Sequence, residues 1–306
     1  IDRRVMDAFI RYGKKMIDCF GDRVKYWLTF NEQNIFHMPE AFRISGYMKG
    51  DQTLRELYEL QHHTMVAHMA LTEYLHQTKP GQLMGGMLAH QLVYPATCKP
   101  RDIFCAQQYD EFLNQNLLRV FAGQGYSPAV MAVVEQEGFG DIYRAEDLAL
   151  LARTRNDYMA FSYYASKTLD SDAIPEGTPV NYYLLHGEKN NPYLKATEWN
   201  WQIDPLGFRT IITRYANDWR MPVFPIEKGI GVIESWDGVN PIEDTYRIDY
   251  HRAHIEAMKA AIFEDGAEVM GYLGWGLIDI LSSQGDMRKR YGVVYVNREN
   301  HDLKRS

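Results

Sequence analysis

Apolar positions along this chain follow two alternating periods. Val5, Phe9, Ile10, Met16, Ile17 and Phe20 recur at helical spacing and Gly21 follows as a stop, which predicts a helix over the first twenty or so residues. The short apolar run VKYWLTF, 24–30, then predicts a strand. A long helical pattern covers roughly 52 to 78 and is closed by Lys79-Pro80-Gly81. QLMGGMLAH, 82–90, predicts a buried strand, and residues 100–123 predict a helix with Pro near its start and Gly after its end. The same alternation continues through a strand at 157–166, a helix at 204–219, a strand at 221–229 and an amphipathic helix at 246–266. A last strand, EVMGYLGWGLIDIL at 268–281, runs into a loop.

Strands that alternate with helices and are apolar on both faces predict a parallel sheet covered by helices. Five strand–helix units result, the first strand preceded by its helix. No internal repeat or low-complexity linker separates them, so one α/β domain over 1–306 is expected.

Glu32 and Glu227 each stand at the C-terminal end of a predicted strand. In a parallel α/β barrel that end carries the active site. Two carboxylates facing one cleft suit acid–base work on an acetal. One must be kept protonated near neutral pH and the other ionised. A separation of about 5–5.5 Å would give retention of anomeric configuration. Asn31, beside Glu32, can hydrogen-bond a sugar 2-hydroxyl.

Composition narrows the classes further. The chain has 306 residues, 46% hydrophobic and 24% charged, an ordinary globular balance. A net charge of −7 argues against non-specific nucleic-acid binding but leaves room for a local anion site. The 21 Tyr and 6 Trp permit a sugar-lined cleft. Cys19, Cys98 and Cys105 form neither a disulfide framework nor a zinc spacing, so reduced thiols in a cytoplasmic protein are expected. His62, His63 and His68 lack the spacing of a zinc protease, and GQLMGG lacks the Lys of a phosphate loop. No metal and no cofactor are expected. No apolar run approaches the ~18 residues of a membrane span, and the charged, helix-patterned first residues are expected to form a helix and not a signal peptide.

KYWLTFNEQN resembles the acid/base motif of family 1 glycoside hydrolases, and PVFPIEKGIGVIESWDG resembles that family's nucleophile motif. AFSYYAS, KNNPYLKATEWNWQIDPLGFR and YRIDYHRAHIEAMKAAI are similar to it as well. The resemblance implies an incomplete TIM (β/α)8 barrel, with Glu32 as general acid/base and Glu227 as nucleophile. It implies that Tyr164 hydrogen-bonds Glu227, that Asn31 holds the 2-hydroxyl and that Trp275 walls the sugar.

GYLGWGLIDILSSQGDMRKRYGVVYV lacks the acidic pair of ordinary β-glucosidases and resembles the 6-phospho-β-glycosidase form. Ser282, Lys289 and Tyr291 would then hold a 6-phosphate, Ser283 being an equal alternative to Ser282. A cation and several donors suit a phosphate dianion, which an acidic neighbour would repel. The expected substrate is a 6-phosphorylated β-glucoside.

Three departures from the family pattern stand out. Lys228 follows Glu227 where Asn is usual, after Pro225-Ile226; its ammonium either folds back to lower the Glu227 pKa or points into solvent. Ser162 replaces a frequent Asn. The chain resembles the family only from the helix before its fourth strand, so the expected sheet has strands four to eight and open edges. A homo-oligomer covering those edges is therefore expected. A catalytically silent remnant that binds sugar phosphate or a protein partner, and a plain β-glucosidase, are the competing readings.

Overall fold

The computed structural model describes residues 2–39, 52–282 and 285–297. Its centre is a sheet of four parallel strands in the order β1 (Tyr26–Leu28), β2 (Leu83–Ala89), β4 (Tyr158–Ser162), β6 (Val223–Glu227). Two further strands, β3 (Val93–Pro95) and β5 (Lys167–Leu169), form a small parallel ribbon that the periodicity did not reveal. They are three residues each, too short to show an alternation.

Helices cover one face of the sheet. α1 (Arg3–Phe20) begins on Asp2, whose carboxylate accepts the Arg4 N–H at 2.8 Å. Phe9, Ile10 and Ile17 pack inward, whereas Val5 (69% exposed) and Phe20 (36%) point outward despite their helical spacing. α2 (Leu54–Thr78) opens with a reciprocal cap between Thr53 and Glu56. α3 (Pro100–Asp110) continues through a π turn at Glu111–Gln115 into α4 (Asn116–Phe121). α5 (Pro128–Gln136), α6 (Ala145–Arg153) and the short α7 (Tyr183–Gly187) follow. α8 (Pro205–Arg214) and α9 (Thr245–Phe263) close the layer.

Alternation along the strands sorts the two faces. Met159, Phe161 and Val223 join Phe121, Phe208 and Tyr215 in the helix-side core. Tyr158 and Ala160 face the other way with Met87, Phe224 and Ile226, as the interior layer of a barrel does. Gly86 sits where β2 meets Phe121: a Cβ there would lie 2.4 Å from the ring. Phe121 is fully buried in the helix-side core. Gly86→Ala is therefore expected to cost about 1–3 kcal/mol, read as a lowered urea midpoint.

The expected fifth strand is only partly formed. Residues 268–275 run alongside β6, with N–H···O bonds from Val223 to Glu268, Met270 to Val223, Leu273 to Pro225 and Trp275 to Lys228, but make only one bridge, Val223 to Val269. Gly271, Gly274 and Gly276 interrupt the segment, and glycine weakens a strand. Its far side carries exposed Leu273 and Leu277.

Candidate active site

All four parallel strands end on one cavity of about 350 Å³. Glu32, four residues beyond β1, lines it from one side. Its backbone takes a left-handed conformation, φ 43° and ψ 58°, which is costly for a residue other than glycine and recurs at functional sites. Two contacts hold the loop there. The Glu32 N–H points at Met87 Sδ (3.3 Å), and Asn34 pairs with the tip of β2 as a strand would, donating to the Ala89 carbonyl and accepting the Ala89 N–H, both at 2.8 Å.

Glu227 is the last residue of β6. Strict alternation after Val223 would turn it toward the helices. It does not, because Phe161 pairs with Pro225 while the next residue, Ser162, pairs with Glu227. Ile226 is thus an extra residue, a bulge that returns Glu227 to the interior face beside Ser162. Pro225, which has no N–H to offer a regular ladder, is tolerated at such a site.

Each carboxylate has its own donor. The Ser162 hydroxyl donates to Glu32 Oε1 at 2.5 Å, and the Tyr164 phenol donates to Glu227 Oε1 at 2.7 Å. Burial pushes the Glu32 carboxyl up to about 7; the Ser162 bond opposes this and the charge of Glu227 adds to it. Burial also raises Glu227, opposed by the phenol of Tyr164. Glu32 feels the charge of Glu227 across one pocket, and two carboxyls in unlike surroundings are an arrangement that can divide acid and base roles.

Asn31, Tyr164 and Trp275 line the cavity, and so do Ser282 and Tyr291. Lys289 lies one layer behind: it is 2% exposed, with Nζ 3.2 Å from the ring centroid of Trp201, which does line the cavity. Burial lowers the Lys289 ammonium to about 8. Among the described residues no carboxylate pairs with it. Ser283 lies outside the described residues.

Lys228 corrects both alternatives offered for it. It neither folds back on Glu227 nor reaches solvent. Following the bulge, it points to the helix side, is fully buried, and donates to the Tyr250 hydroxyl at 2.7 Å. The rings of Tyr163, Tyr250 and Phe208 surround its ammonium at 4.5, 4.6 and 5.3 Å. Burial lowers its pKa well below the ordinary value.

Several pocket residues escaped the sequence reading: His90 and Gln91 just past β2, Lys167 in β5, and Trp201. The first two occupy the same strand-end position that drew attention to Glu32. His90 accepts or donates a 2.6 Å bond with Tyr215 and is buried. His62 and His68 serve packing instead, His62 contacting Tyr126 and Asp147, His68 contacting Thr29 and Asn156.

Parallel strands whose C-terminal ends meet at one cavity define the class, an incomplete β/α barrel. Comparison with known proteins then names the family. The glycosyl hydrolase family 1 profile matches residues 1–306, and the chain belongs to that family.

Among curated relatives, the aryl-phospho-beta-D-glucosidase BglA of Bacillus subtilis is 33% identical over 98% of this chain and 64% of its own length. The 6-phospho-beta-glucosidase AscB of Escherichia coli is 35% identical over 98% of this chain and 62% of its own. The chain therefore spans just under two thirds of these relatives. The beta-glucosidase BglU of Micrococcus antarcticus shares the fold, with a TM-score of 0.85 at 22% identity, covering 100% of this chain and 67% of that one. No helix among the described residues is long and apolar enough to cross a membrane.

Proposed function

We propose that the chain hydrolyses 6-phosphorylated β-glucosides with retention of configuration. The observation that carries the hydrolytic part is the convergence of Glu32 and Glu227 on one cavity, each held by its own hydroxyl donor. Glu32, protonated, gives its proton to the leaving oxygen while Glu227 attacks the anomeric carbon. Glu32 then takes a proton from water, whose oxygen displaces Glu227. Tyr164 orients the nucleophile, Asn31 meets the 2-hydroxyl and Trp275 walls the ring.

The phosphate part rests on charge. The two catalytic candidates are the only acidic side chains among the described residues lining the cavity. Directly behind its wall Lys289 keeps a buried ammonium that has no counter-ion among the described residues, with Ser282 and Tyr291 on the wall itself. The phospho-glucosidase names of the relatives agree with this reading. On a chromogenic 6-phospho-β-glucoside and its unphosphorylated analogue, kcat/KM is expected to favour the former. Lys289→Met is expected to lower that preference roughly 10-fold, the effect of losing a positive charge that acts from behind the wall. Equal rates on both substrates would reject the phosphate site.

Exposed Tyr26 and Leu28 on β1, with Leu273 and Leu277 on the opposite flank, give the sheet two apolar borders that a second copy would cover. Sedimentation as a monomer at micromolar concentration would count against that assembly.

A further inference from the structure

The bond between Ser162 and Glu32 does more than fill a gap. Ser162 is the last residue of β4 and 2% exposed, so its hydroxyl has little freedom. Among the described residues it is the single hydrogen-bond partner of the Glu32 carboxyl.

Everything else around that carboxyl, among the described residues, opposes its ionisation or is neutral toward it. Burial raises its proton affinity, and the charge of Glu227, from the tip of β6, raises it further. Tyr164 beyond β4 is committed to Glu227 and His90 beyond β2 to Tyr215. Lys167, on β5, is paired with Glu188 at 2.5 Å. Tyr291, from the loop after residue 282, feels the charge of Glu32, but its own phenol is pushed upward. Among the described residues no cation contributes to the state of Glu32.

We propose that Ser162 is a positioning residue that aims Glu32 and favours its carboxylate form, so that the group which donates a proton in the first half-reaction can accept one in the second. This rests on the acid/base role proposed for Glu32. In the first half-reaction the C–O bond to the leaving group breaks, its oxygen takes the Glu32 proton, and Glu227 bonds to the anomeric carbon. Glu227 is then an ester and its charge is gone. In the second, a water proton passes to the Glu32 carboxylate. The water oxygen bonds to the anomeric carbon, and Glu227 leaves as a carboxylate. Without the Ser162 hydroxyl, a buried Glu32 holds its proton and the second half-reaction lacks its base.

The test is a titration of the Glu32 carboxyl by NMR on protein carrying carboxyl-labelled glutamate, with Glu32→Gln used to assign the signal. Ser162→Ala is expected to move that titration up by about one pH unit, and Ser162→Thr to restore it. Ser162→Cys keeps the volume with a weaker donor; it is expected to shift part of the way and serves if the Ala variant does not fold. On an aryl 6-phospho-β-glucoside with a good leaving group, Ser162→Ala is expected to show a burst of phenol. A slow second step follows, its acid limb displaced upward by the same amount, and Ser162→Thr removes the burst.

An unmoved titration in Ser162→Ala, or a Thr variant that fails to restore it, overturns the proposal. The titration needs no turnover. A chain that hydrolyses nothing while its Glu32 responds as expected would contradict the proposed function and leave the role of Ser162 intact.

Discussion

Glu227→Gln is expected to lower turnover of a 6-phospho-β-glucoside by roughly four orders of magnitude or more, while substrate still binds. The amide has the shape of the carboxylate, and its oxygen can still accept the Tyr164 phenol that now sits 2.7 Å from Glu227 Oε1. What it lacks is the charge and the lone pair that attack the anomeric carbon. The same substitution removes the negative charge that helps to raise Glu32, so the Glu32 titration should fall below about 7. Steady-state rates and the NMR titration check the two halves separately. Retained turnover would exclude Glu227 as nucleophile, and an unmoved Glu32 would show that the charge of Glu227 does not act on it.

Glu32→Ala is expected to discriminate between substrates rather than silence all of them. With a poor leaving group, which needs its oxygen protonated, the first step should slow by roughly 10³-fold. With a dinitrophenolate leaving group the first step should be nearly unchanged. The second step, deprived of its base, then becomes limiting and glycosyl-enzyme accumulates. The alkaline limb of the pH profile, set by a carboxyl near about 7 in the intact chain, should disappear. The sign follows from the role: the acid must be protonated, so activity falls as pH rises through that value. Equal losses with good and poor leaving groups would argue that Glu32 serves the fold and not proton transfer.

The parts of this site that the sequence made legible are those carried by local pattern. Strand-like runs ending in Glu32 and Glu227 put both carboxylates at the C-terminal tips of parallel strands, where they are found. The parts it hid depend on registers and contacts between distant segments. No periodicity announces that Ile226 is an extra residue, yet that bulge turns Glu227 inward and sends Lys228 into an aromatic slot on the helix side.

Ser162 was visible only as a departure from a common Asn. Its bond to Glu32 joins residues 130 positions apart, across an intervening strand. Lys289 was placed by resemblance, whereas its stacking on Trp201 is a property of the folded loop. Val5 and Phe20 show the reverse error: they satisfy helical spacing on α1 but face outward, because periodicity marks a stripe and not what covers it. The last strand, expected over 268–281 and running into a loop, is only partly formed because glycines interrupt it.

The central claim is that Glu32 and Glu227 act on one sugar ring from one cavity, the former moving protons and the latter forming a bond. The most direct measurement is mass spectrometry of the Glu32→Ala chain quenched during turnover of the activated aryl 6-phospho-β-glucoside, followed by proteolysis. One phosphoglucosyl group on the peptide that contains Glu227, formed at the rate of phenol release, is the predicted result. Phenol release with no adduct, or an adduct on any other residue, would contradict the account.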